Sequence, residues 1–82
     1  MHRLKLTARA KRDVEALSAK PKEQIRGALW TLADDPYRGI SLKGRWEGYR
    51  RLRSGDYRII YKISHDEIII HYVRHRREAY RA

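Results

Sequence analysis

The chain has 82 residues, twenty Lys and Arg against ten Asp and Glu, a formal net charge of +10, and no cysteine. That length predicts one domain over residues 1–82, with a modest core that buries roughly 60% of the unfolded surface. The absent thiols exclude disulfides and thiolate–metal sites. Fourteen of the twenty cations are arginine. Guanidinium is a planar donor fork suited to phosphate and to stacking on bases, so the charge predicts a polyanionic partner: nucleic acid first, an acidic protein second.

The start, MHRLKLTARAKR, is basic and has no apolar h-region, and the run IIIHYV is too short to span a bilayer. A cytoplasmic chain with no membrane contact is expected. Residues 2–6, HRLKL, alternate and predict an edge strand with Leu4 and Leu6 on one side. Thr7 stands at an N-cap position, and Ala10, Val14 and Leu17 follow at helical spacing. Arg9, Lys11, Arg12 and Glu15 take the outward face of this first helix.

Pro21 fits the first turn of a second helix whose apolar stripe is Ile25, Ala28, Leu29, Leu32 and Ala33. Trp30 flanks the stripe as a packing residue, and Asp35-Pro36 stops the helix. Residues 35–48 read as loop, with Trp46 a packing residue or a partner anchor. Three strands follow, at about 49–53, 57–63 and 68–73, joined by turns centred on Ser54-Gly55 and His65-Asp66. The tail HRREAYRA predicts a short helix or an irregular end. The order is βααβββ: an α+β domain in which two helices cover one face of an antiparallel sheet.

Centring the first turn on Ser54-Gly55 sets Arg53 against Asp56, Leu52 against Tyr57 and Arg51 against Arg58. Leu52, Tyr57, Ile59, Tyr61 and Ile63 then share the helix-covered face, with the Tyr57 and Tyr61 hydroxyls satisfied in the core. Arg51, Arg53, Arg58 and Lys62 share the other. The second hairpin pairs Ile63 with Ile68, Tyr61 with Ile70 and Ile59 with Tyr72. It adds Ile69, His71 and Val73 to the uncovered face, with His75 just beyond and Arg76, Arg77, Tyr80 and Arg81 nearby. Arg50 is a misfit on the core face: either a bulge occurs there or the side chain snorkels out at the sheet edge.

Metal-free RNA cleavage needs a base for the 2′-hydroxyl, a cation for the pentavalent phosphate and an acid for the leaving oxygen. Arginine serves the second need only. His71, His75, Tyr80 and, upstream, Glu47 are the available proton-transfer groups. The sequence has no HExxH, CxxC or carboxylate cluster, no glycine-rich phosphate loop and no nucleophile elbow, so neither metal nor cofactor is expected.

The stretches LKG, YRRLRSGDYRIIYKI and IIIHYVRHRREAY resemble the RelE/ParE-type toxin superfamily of bacterial type II toxin–antitoxin systems, and the likeness spans nearly the whole chain. It implies a microbial RNase-like fold. In the RelE branch it implies a ribosome-dependent endonuclease that cuts mRNA in the A site and inhibits translation. It also implies a cognate antitoxin that wraps the toxin, with operator DNA reached only through that antitoxin. By position, Arg51 and Arg53 stand where the family has basic residues on the first hairpin strand. Arg58 matches the arginine of the next strand. Arg76 and Tyr80 match the C-terminal arginine and tyrosine, with Arg74 or Arg77 able to take the place of Arg76. The expected catalytic set is thus Arg58, Arg76, Tyr80 and His75, and the expected RNA- and phosphate-binding set is Arg51, Arg53, Lys62, Arg74, Arg77 and Arg81. Some RelE members carry lysine on the hairpin strand where this chain has arginine, which leaves the proton transfers to other residues. The alternative implied by the resemblance is a ParE-like toxin that inhibits DNA gyrase by protein contacts without cutting RNA. That branch generally lacks the basic hairpin with a terminal tyrosine.

Overall fold

Thr7 decides where the chain leaves its first strand. Its hydroxyl accepts the Ala10 N–H at 3.1 Å as an N-cap and donates to the His71 carbonyl at 2.7 Å. The computed structural model describes residues 2–79, with side chains through Arg77. It runs β1 (Arg3–Leu6), α1 (Ala8–Glu15), α2 (Ala19–Asp34), a 3₁₀ turn (Pro36–Arg38), β2 (Ile40–Ser41), a second 3₁₀ turn (Gly44–Trp46), β3 (Arg50–Ser54), β4 (Tyr57–Ser64), β5 (Glu67–His75) and α3 (Arg76–Ala79). Among the described residues no helix is long and apolar enough to cross a membrane.

The α+β architecture is as expected, and the sheet order is β1-β5-β4-β3-β2. The sheet is mixed rather than antiparallel, because β1 runs parallel to β5. Leu4 and Leu6 align with Ile68 and Ile70, and the Thr7 N–H then bonds the Ile70 carbonyl at 3.0 Å. This direction delivers Thr7 to the residue of β5 on which α1 begins. The two-residue β2, inside the segment read as loop, pairs Ile40 with Arg51 at the far edge.

The core gathers Ala10, Ile25, Leu29 and Leu32 from the helices against Ile59, Tyr61, Ile68, Ile70 and Val73. Leu52, Tyr57 and Ile63 pack at its margin, so the expected apolar face of the first hairpin holds. Each fully buried Ile or Leu contributes on the order of 1.5–3 kcal/mol, and no crosslink supplements them. Trp30 does not pack: it is 62% exposed on the flank of α2, beside a surface depression lined by His2, Arg3, Leu4 and Ala33.

The buried Tyr61 hydroxyl donates to the Pro36 carbonyl at 2.7 Å and accepts the Gly39 N–H at 3.1 Å. A Cβ at Gly39 would lie 2.5 Å from that hydroxyl and 2.6 Å from the Arg51 carbonyl oxygen, so only glycine fits. Arg50, opposite Tyr61, snorkels. Its Nη2 donates to the carbonyls of Gly39 at 2.6 Å and Tyr37 at 3.3 Å, and its guanidinium lies 5.2 Å from the Tyr37 ring centre. Of the two accounts of Arg50, snorkelling is the one observed, although β2 and not β3 forms the sheet edge, and the loop is fastened by it.

Two registers differ from expectation. The first hairpin turns at Gly55-Asp56, with Ser54 opposite Tyr57, because Gly55 takes φ +61° at the first central position, where type II′ turns require glycine. Arg58 therefore faces Arg53, while Arg51 faces Ile60. In the second hairpin the expected pairs hold from Ser64–Glu67 to Tyr61–Ile70, and then a bulge intervenes. Beyond it Ile60 faces Tyr72, Ile59 faces Val73 and Arg58 faces Arg74. The unbulged alternation would have sent Tyr72 and Arg74 under the helices and Val73 outward. The bulge reverses all three.

Tyr61→Phe removes both bonds of the buried hydroxyl and leaves the Gly39 N–H without its acceptor. Urea denaturation should show a loss of about 1–3 kcal/mol with an unchanged m-value.

Candidate functional site

The bulge assembles the uncovered face. Across β3, β4 and β5 it aligns Arg53, Arg58 and Arg74 in one row, beside a second row of Arg51, Ile60 and Tyr72. Like charges directly opposite cost tenths of a kcal/mol per exposed pair. Tyr72 offsets part of this: the guanidiniums of Arg74 and Arg9 each lie 5.0 Å from its ring centre, and each such contact is worth about 0.5–1 kcal/mol at a partly exposed site.

An aromatic strip borders the arginines. Trp46 meets Tyr72 at 5.7 Å and Tyr49 at 5.3 Å, and Tyr49 meets His71 at 4.7 Å, all edge-to-face. The Lys62 ammonium lies 5.7 Å from the Tyr49 ring centre. Burial, with the Lys62 charge adding to it, holds the His71 pKa below the ordinary imidazole range. Burial pushes the Tyr72 phenol up, against the opposing charges of Arg9 and Arg58. Tyr72 is therefore a neutral hydroxyl among guanidiniums, able to donate a hydrogen bond or a proton.

Of the residues expected from sequence, Arg51, Arg53, Arg58, Lys62, Arg74 and His71 do come together on this face. His75 does not. It follows the bulge on the alternate parity, pairs with Tyr57, and meets that ring at 5.2 Å in a depression shared with Asp13 of α1 and Leu17 just beyond its end. Its place is on the helix-covered side, away from Arg58, and its Nδ1 accepts the Arg77 N–H at 3.2 Å. Arg76 and Arg77 are exposed in α3, where the Arg76 N–H bonds the Asp56 carbonyl at 2.7 Å and ties the tail to the β3–β4 turn. Glu47 is exposed at the end of the second 3₁₀ turn. Tyr80 and Arg81 lie outside the described residues. Among the described residues no three His, Asp or Glu side chains converge on a common point to hold a metal.

Sequence reasoning missed Tyr72, Tyr49 and Arg9. One signal was legible: an unbulged β5 would bury Arg74 under the helices and expose Val73, a conflict that one extra residue removes.

Solved structures share this fold. The toxin–antitoxin complex RelBE2 from Mycobacterium tuberculosis matches at TM-score 0.85 and 27% identity, over 90% of this chain and 96% of that one. The isolated RelE toxin of E. coli matches at TM-score 0.80 and 17% identity, over 99% and 97%. A chromosomal ParDE system from P. aeruginosa matches at TM-score 0.77 and 19% identity, over 92% and 96%. No curated sequence is similar enough to count as a match. The matched fold and family model define the class as that of the RelE/ParE superfamily of type II toxins. Within it, the family model described as "ParE toxin of type II toxin-antitoxin system, parDE" matches residues 4–80, and the chain belongs to that family.

Two measurements test the electrostatics. Arg53→Gln relieves the repulsion in the arginine row and should raise stability by a few tenths of a kcal/mol, read by urea denaturation at low salt. A histidine with a depressed folded-state pKa binds fewer protons than the unfolded chain does, so its contribution to stability falls as pH drops below about 6.5. His71→Gln should flatten the fall in denaturation midpoint between pH 7 and pH 5 relative to the unmodified protein.

Proposed function

We propose that this toxin grips mRNA across the uncovered sheet face and cleaves it in the ribosomal A site. The observation that carries the reading is the row of Arg53, Arg58 and Arg74. Neighbouring strands lie about 4.8 Å apart, which brings three guanidiniums within reach of one phosphate and its neighbour. Arg58, at the centre, stabilises charge on the pentavalent phosphate. Arg51, Arg53, Lys62, Arg74, Arg77 and Arg81 hold the backbone, and Arg76 joins Arg58 in the catalytic set by likeness to the family. Arginine does not exchange protons at neutral pH, so proton transfer falls to tyrosine: Tyr80 by family likeness, and Tyr72 by its neutral phenol near Arg58. His75, on the other side of the sheet, takes no part. The ribosome supplies the orientation that a shallow face lacks, so free RNA is a poor substrate.

The RelBE2 relative was solved with its antitoxin, as was YoeB with YefM from Staphylococcus aureus. By that likeness a cognate antitoxin, acidic to complement a chain of charge +10, silences this toxin in the cytoplasm and carries any contact with operator DNA. A second reading is gyrase inhibition through protein contacts. It is favoured by the match to the parDE family description.

Expression without antitoxin should stop translation, and primer extension on translated transcripts should reveal cuts within codons. Intact transcripts beside relaxed or broken DNA would instead establish the gyrase reading. Arg58→Ala should lower cleavage about 10²–10³-fold, as loss of a transition-state donor does, and Tyr80→Phe should lower it as well, with far-UV circular dichroism unchanged in both.

A further inference from the structure

Ile60 lies on the uncovered face yet is only 5% exposed. Leu42 and Trp46 of the 42–49 loop line one depression with it, and that loop is closed on itself by the Leu42 N–H to the Tyr49 carbonyl at 3.0 Å and the Tyr49 N–H to the Trp46 carbonyl at 3.0 Å. Gly44 at φ +69° and Gly48 at φ +94° make the two left-handed corners that this closure needs. Between loop and sheet remains a depression of about 170 Å³, lined by Leu42, Trp46, Arg51, Arg58, Ile60 and Tyr72. It is smaller than the roughly 300–1,000 Å³ of pockets for drug-sized ligands, a size that suits a single flat ring system.

We infer that this depression is a nucleobase pocket, seating the base next to the phosphate held by Arg58; the inference rests on the RNA reading of the same face. Leu42, Ile60, Trp46 and Tyr72 give it apolar and aromatic surface, and Arg51 and Arg58 give it cationic surface. That combination takes a ring by stacking and its attached phosphate by charge. Trp46 is the stacking surface. It is 38% exposed, and its two aromatic contacts are edge-to-face at 88° and 68°, so neither neighbour stacks parallel on it. A tryptophan present only to cap Ile60 has no need of that open area beside two arginines. The closed loop fixes the ring before a ligand arrives, which lowers the entropy lost on binding. The guanidiniums of Arg51 and Arg58 present donors only, and so favour a base edge that carries acceptors.

The second tryptophan makes a direct test available. Trp30 is on α2, which packs on the opposite face of the sheet, so Trp30→Phe leaves Trp46 as the only indole. In that protein, at low salt, a 2′-O-methyl RNA trinucleotide, which cannot be cleaved through its 2′-oxygen, should quench and shift the Trp46 emission. A trinucleotide of the same phosphates lacking bases should bind roughly tenfold more weakly and leave the emission unchanged. Trp46→Leu, its fold checked by thermal melting, should bring the two strands to equal affinity by fluorescence anisotropy. If the strand without bases binds as tightly as the strand with them and neither quenches Trp46, the base pocket is wrong while the phosphate face stands. If neither strand binds, the RNA reading falls with it.

Discussion

One extra residue in β5, and the polar groups that secure it, determine what this sheet presents to its surroundings. A bulge leaves backbone groups out of the ladder, and such groups must be satisfied locally. Here α1 satisfies them. The Thr7 hydroxyl donates to the His71 carbonyl, and the Asp13 carboxylate accepts the Val73 N–H at 3.0 Å. The N-cap of a helix and an acid one and a half turns later thus clasp the irregular stretch from its far edge. Because of that clasp Val73 enters the core, Arg74 emerges beside Arg58, and His75 turns towards α1. The helix that covers one face of the sheet controls the composition of the other.

The result is a division of labour within single strands. Along β4, Ile59 and Tyr61 anchor the strand under the helices while Arg58 and Lys62 project from the same rigid backbone. A charged surface built on a loop would relax when its guanidiniums repel. One built on a central strand holds them in place, and the strain is met by the aromatic faces of Tyr72 and Tyr49 and by the core beneath. Stability and charge density are opposed here, and the opposition is characteristic of a surface shaped to receive an anion.

Much of this was legible in the sequence because it depends on periodicity. The alternation of Tyr57, Ile59, Tyr61 and Ile63, the cap at Thr7 and the stripe of α2 are local patterns with local causes. The face of Arg51, Arg53 and Arg58 survived an error in the turn because a shift of two residues keeps side-chain parity. Three features escaped. The bulge is stabilised by residues some sixty positions away, which no window along the chain contains. The pairing of two-residue β2 depends on Gly39 and Arg50 meeting across the loop. The exposure of Trp30 is a matter of which side of a helix lacks a neighbour, and sequence spacing does not say where neighbours end.

The parallel pairing of β1 with β5 has a temporal consequence. The first strand of the chain completes its hydrogen bonds only with the last, and α1 rests on that same last strand. During vectorial synthesis α1 therefore waits without its principal partner, and the non-local closure that follows is the slow kind. The arginine row spans β3, β4 and β5, so it too exists only once β5 has emerged and docked. The complete basic face and the folded domain therefore come into being together, once β5 has docked.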